Sequence, residues 1–106
     1  MGREKRSESR YEVKLDAHVR NGIGSQRKVQ VTNLSPRGCR FRLREKRLGQ
    51  GAFLTLTVER LGFLDAQVKW RQDDWHGIRF DRPLHPAVFD HIRLFLSREP
   101  GLVPQD

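Results

Sequence analysis

The sequence predicts a small all-β fold, a six-stranded antiparallel β-barrel followed by a C-terminal α-helix. Three observations predict it. Six short runs alternate apolar and polar residues with period two, as half-buried strands do. Residues that favour turns separate most of these runs at regular intervals, and six such strands in about seventy residues suit a closed or nearly closed barrel. After Pro86 the apolar spacing changes to that of a helix.

The first run begins at Tyr11: Val13, Leu15, Ala17 and Val19 alternate with Lys14, Asp16, His18 and Arg20. Asn21-Gly22 marks a turn, extended by Gly24 and Ser25. Val29 and Val31 share a face in the second run, opposite Lys28, Gln30 and Thr32. A loop over Asn33 to Gly38 leads to Cys39, Phe41 and Leu43, which alternate with Arg40, Arg42 and Arg44. Leu54, Leu56 and Val58 form the fourth set, after Gly49 and Gly51. Leu64, Ala66, Val68 and Trp70 form the fifth, and their shared parity points all four inward. Ile78 and Phe80 make a short sixth run beyond the Asp73-Asp74 turn. Val88, Phe89, Ile92, Phe95 and Leu96 then lie on one helical stripe, with Pro86 suited to the first helical position and Pro100-Gly101 ending the segment. The expected organisation is therefore a flexible basic arm over 1–10, a barrel and helix over 11–100 with the helix at about 85–98, and a tail over 101–106.

Composition narrows the function. The chain has 106 residues, enough for one domain with one core. Lys and Arg number 21 against 13 Asp and Glu, a formal charge of +8, so an anionic partner is expected. Sixteen of the 21 are arginine, whose planar fork matches phosphates and guanine edges. With Cys39 alone there is no intramolecular disulfide, and its inward parity marks a buried, inert thiol. No long apolar run and no signal-like N-terminus occurs, which leads to the expectation of a cytoplasmic domain without membrane insertion. His18, His76, His85 and His91 lack metal-site spacing and read as surface or packing residues. No nucleophile elbow, phosphate loop or zinc-protease motif occurs. The expectation is a domain that is not an enzyme and needs no metal or cofactor.

Two patterns remain. Arg6-Ser-Glu-Ser-Arg10 is an RxxxR spacing just before the first strand, and Asn33-Leu34-Ser35-Pro36-Arg37-Gly38 is an NxSxxG at the end of the second. RxxxR alone is nearly uninformative among sixteen arginines, since Arg40 and Arg44 form another. An NxSxxG alone could be a polar turn. Their combination, in this order and on these strands, is what distinguishes the chain.

Carrying both motifs, the sequence resembles the PilZ domain, a bacterial receptor module for cyclic di-GMP. Arg6 and Arg10 match the first family motif, and Asn33, Ser35 and Gly38 match the second. The Gly77-Ile78-Arg79-Phe80 stretch looks like the family's late G-x-x-F strand. The resemblance implies a six-stranded barrel with a C-terminal helix, a cyclic di-GMP ligand, and a protein partner through which motility, exopolysaccharide or biofilm output is reached. The residue before Arg6 is Lys5 rather than a second arginine; in related domains a basic residue there accompanies an intercalated ligand dimer, so the resemblance implies two ligands per domain.

The implied ligand carries two phosphodiester charges and two guanines. An arginine fork satisfies guanine O6 and N7 together, or two phosphate oxygens. Asn33 offers an amide donor and acceptor, the Ser35 hydroxyl either role, and Gly38 close backbone approach or a positive φ. Arg40, the strand residue nearest Gly38 with an outward parity, is a further candidate ligand contact. Ordering of the arm on binding would act as a switch. Trp70 reads as core, and Trp75, after a turn, as partly exposed. Two alternatives stand beside this expectation. One is a general nucleic-acid-binding barrel, which the absence of an exposed aromatic cluster disfavours, so no DNA or RNA is expected. The other is an adaptor that ignores nucleotide, whose usual mark is broken motifs.

Overall fold

The computed structural model describes residues 10–105. Its strands are β1 (Arg10–Arg20), β2 (Arg27–Ser35), β3 (Gly38–Arg42), β4 (Phe53–Val58), β5 (Gly62–Gln72) and β6 (Trp75–Phe80). Helix α1 (Pro86–His91) runs into a π-helical turn (Ile92–Leu96), and a two-residue strand, β7 (Pro104–Gln105), follows. The sheet runs β2-β3-β6-β5-β4-β1, and β1 pairs again with β2, so six antiparallel strands close into a barrel. Closure leaves those six strands without a free edge.

Alternation dictates the core. Val13, Leu15, Ala17 and Val19 of β1 face inward, with Val29, Val31 and Leu34 of β2, Leu54, Leu56 and Val58 of β4, and Ile78 and Phe80 of β6. Phe41 fills the centre, stacked on the His76 ring at 5.6 Å. Phe89 and Ile92 bury the helix against this core, and Tyr11 packs on Phe89 at 5.5 Å.

Three register shifts mark bulges, and two of them turn a side chain to another face. The β1–β2 register shifts between Glu12 and Leu15, and the β2–β3 register between Val31 and Asn33. The extra residue in β2 means that Leu34, not Asn33, next points inward. The β5–β6 register shifts between Val68 and Trp70, so Trp70 leaves the core face on which its parity would place it; it is 38% exposed.

The C-terminal region also departs from expectation. His85 caps α1, its Nδ1 accepting from Ala87 N at 3.0 Å, and Pro86 opens the helix as expected. The helix ends at Leu96 rather than near 98, because Ser97 is pulled onto β1. Its Oγ accepts from Lys14 N at 2.9 Å and donates to Glu99 O, while Arg98 N donates to Lys14 O at 2.8 Å. Those bonds take up backbone groups that the β1 bulge would otherwise strand. Ser97 N reaches back five residues to Ile92 O, which widens the last turn and moves Phe95 off the apolar stripe, 74% exposed. Residues 101–105 are not a loose tail either. Gly101 is buried, its N donates to Arg93 O at 2.8 Å and its O accepts from Arg93 Nη1 at 2.7 Å. Pro104 and Gln105 then pair with Tyr11 and Arg10.

No helix among the described residues is long and apolar enough to cross a membrane.

Candidate ligand-binding face

Asn33-to-Gly38 forms a tight hairpin rather than a loop. Asn33, Leu34 and Ser35 end β2, Pro36 and Arg37 make the turn, and Gly38 opens β3 opposite Ser35. Ser35 is buried and its Oγ donates to Gly38 O at 3.4 Å, a long bond. The turn is pinned from the β6 side: Phe80 N donates to Arg37 O at 2.8 Å and Leu84 N to Pro36 O at 2.7 Å. Gly38 has a specific reason to be glycine. A Cβ there would lie 2.0 Å from the Ile78 carbonyl oxygen, so β3 and β6 can approach only without one. Its φ is not positive. Of the two reasons the sequence offers, close approach is the one at work, and the close neighbour is the barrel's own backbone.

Asn33 is paired with Glu12 of β1 and Arg40 of β3, which places it on the outer face. Tyr11 pairs with Leu34, so Arg10 and Ser35 each lie one residue beyond that pair. The second motif thus abuts the strand that begins at the second arginine of the first. Arg10 is exposed. Arg6 and Lys5 lie outside the described residues. Beside Asn33, Thr32 Oγ1 is buried with no hydrogen-bond partner among the described residues.

From Asn33 the outer face continues through Arg40 and Gly77 to Trp70. Trp70 lies flat on β6: a Cβ on Gly77 would come 2.1 Å from its ring. One step along the strands, Arg42 pairs with Trp75. The Arg40 and Arg42 guanidiniums both sit over the Trp75 ring, 5.0 and 5.5 Å from its centroid, in cation–π contact. Arg42 and Arg47 also lie 3.9 and 3.8 Å from the Asp74 carboxylate. Trp70, read from its parity as core, is the member of this face that sequence reasoning misplaced; Trp75 is partly exposed and Arg42 outward as expected. The signal that finds its place is pairing register, which the β5–β6 bulge conceals.

Two buried titratable groups support the face from inside. Cys39 is buried, as its parity indicates, and burial pushes its thiol up to about 12. His76 is 0% exposed. Its Nε2 accepts from Leu48 N at 3.0 Å and its Nδ1 lies 2.8 Å from Asp74 O, so the ring is the neutral tautomer with hydrogen on Nδ1. Burial lowers the His76 pKa, against the opposing pull of the Asp74 carbonyl. A group neutral when folded contributes stability above its unfolded value of about 6.5, lost as pH falls through the depressed folded value. The melting temperature is therefore expected to hold above about pH 7 and to fall as the pH drops below about 6.5. His76→Gln is expected to flatten that decline; an equally steep decline in the variant would assign it elsewhere. Among the described residues no cluster of three or more His, Cys, Asp or Glu is placed to hold a metal ion.

A closed six-stranded barrel with a polar motif hairpin on its outer face defines a small binding module. The chain belongs to the PilZ domain family, whose model matches residues 4–98. PilZ domains are binding and adaptor domains, and the family is a known cyclic di-GMP-binding one. A search of curated proteins found no match.

Proposed function

We propose that this domain is a cytoplasmic receptor for cyclic di-GMP, with Arg6, Arg10, Asn33, Ser35 and Gly38 at the site and Lys5 and Arg40 beside it. The observation that carries the reading is the register of β1 on β2, which sets Asn33 and Ser35 alongside the start of the strand that follows RxxxR. Two arginine forks, Arg6 from the arm and Arg10 from the first position of β1, meet the ligand's phosphates and guanine edges, opposite the amide of Asn33. Arg40 is the cross-strand neighbour of Asn33 and is held by Trp75, so its fork is already oriented. Gly38 and Ser35 act by shaping the hairpin that presents Asn33. Closure of the arm over the ligand changes the surface offered to a protein partner, and that change is the output.

Calorimetric titration with cyclic di-GMP near physiological salt tests this, with GTP and a short oligonucleotide as controls. Saturable micromolar or tighter binding of the cyclic dinucleotide alone is the expected result, and the stoichiometry gives one ligand or two. No heat and no shift in melting temperature would overturn the reading.

A further inference from the structure

A second basic feature lies on the outer face, along β3 from the motif hairpin. Asp16 of β1, Lys28 of β2 and Arg42 of β3, with Arg44, Glu45 and Arg98, line an open groove of about 380 Å³. All six side chains are exposed. Asp16 is engaged by Arg98, Nη2 to Oδ1 at 3.3 Å, which leaves Lys28 and Arg44, with Arg42 shared at 3.9 Å with Asp74, against Glu45. Arg42, the β3 residue of the groove, is two residues from Arg40, about 7 Å along the strand, so the groove lies beside Asn33's side of the face and within one ligand's length of it.

We propose that this groove docks an acidic segment of a protein partner. Its charge calls for an anion, and arginine forks take carboxylates in bidentate pairs. Two features favour a polypeptide over a nucleic acid. No aromatic side chain lines the groove, and the nearby Trp75 ring already carries Arg40 and Arg42, so bases have no free face on which to stack. Glu45 and Asp16 also interrupt the cations. A uniformly charged phosphate backbone meets repulsion there, whereas a peptide can set a neutral or basic residue at those places.

The groove also connects to the nucleotide site, a link that rests on the cyclic di-GMP reading. Arg40 and Arg42 share the Trp75 ring, and Arg42 is 3.9 Å from Asp74. A nucleotide that draws Arg40 to itself leaves the indole and Asp74 to Arg42 and holds it out of the groove. The ligand's own two negative charges add repulsion in the same direction, within about a Debye length. Nucleotide and acidic segment are therefore antagonists, and binding of one releases the other.

Fluorescence anisotropy of a labelled twelve-residue peptide alternating Glu with Gly and Ser tests both parts, with a dT12 oligonucleotide as comparison. The intact chain is expected to bind the peptide in preference to the oligonucleotide. Arg42→Glu with Arg44→Glu is expected to weaken peptide binding at least tenfold with the melting temperature kept. Arg20→Glu with Lys69→Glu, the same change in net charge at exposed positions outside the groove, is expected to change it less than twofold. Equal loss in the two double variants, or a preference for dT12, would overturn the groove assignment. Saturating cyclic di-GMP is expected to weaken the peptide by threefold or more; no effect, with nucleotide binding shown by calorimetry, would overturn the antagonism. If the chain binds no nucleotide, the receptor reading falls while the charge-reversal comparison still decides the groove.

Discussion

Arg10→Ala is expected to weaken cyclic di-GMP binding tenfold or more without lowering the melting temperature. Arg10 is exposed at the first position of β1, and its place in the strand depends on backbone pairing with Gln105, which alanine keeps. What the variant removes is a charge-assisted contact worth roughly 1.5–3 kcal/mol, and roughly 1.4 kcal/mol corresponds to tenfold in affinity. Arg6→Ala is expected to act in the same way. Arg10→Lys should recover only part of the loss, because an ammonium supplies the charge but not the two-pronged geometry that guanine and phosphate accept. Calorimetry on the three variants reads these outcomes directly. Parent-like affinity in both alanine variants would move the ligand away from the arm and the β2–β3 hairpin.

The strands were legible because their alternation is unbroken wherever pairing is regular. Val13 to Val19 and Leu54 to Val58 face inward as their parity requires. Parity fails where a bulge inserts one residue, since a one-residue slip turns every following side chain to the other face. That is how Trp70, in step with Ala66 and Val68 in sequence, reaches the outer face, and why Asn33 does so although its parity matches Val31. Nothing local in the sequence announces either bulge; each is settled by how long the neighbouring strands are and what they must bury. The helix shows the same limit. Its stripe and its proline start were readable, but its end is set by Ser97 bonding to Lys14, 83 residues away in the chain. Within the candidate site the motif residues needed no structure to find. The Arg40–Trp75–Arg42 cluster did, because it assembles across β3 and β6 by register alone.

The close approach of β3 to β6 gives Gly38 a role in the fold that differs from contact with a ligand, and a stability measurement distinguishes the two. If glycine were needed only for a ligand to approach, Gly38→Ala would weaken binding and leave the fold intact. The Cβ position 2.0 Å from the Ile78 carbonyl oxygen points the other way. The obstacle is backbone in a paired strand, which cannot turn aside as a side chain can. Overpacking of this kind costs about 3 kcal/mol or more when the neighbour cannot yield. For a domain of this size each kcal/mol lowers the melting temperature by about 4–8 °C, so a fall of about 12–24 °C is expected even without ligand. Gly77 provides the internal comparison. There the added Cβ meets the Trp70 ring at 2.1 Å, on an exposed side chain that can swing off the sheet. Gly77→Ala is expected to cost less, about 1–3 kcal/mol, and to cost little in a Trp70→Ala background. No change of background should rescue Gly38→Ala, because what it strikes is the strand itself. A Gly38→Ala protein that melts within a few degrees of the parent would return Gly38 to the ligand and remove the β3–β6 approach as the reason for glycine.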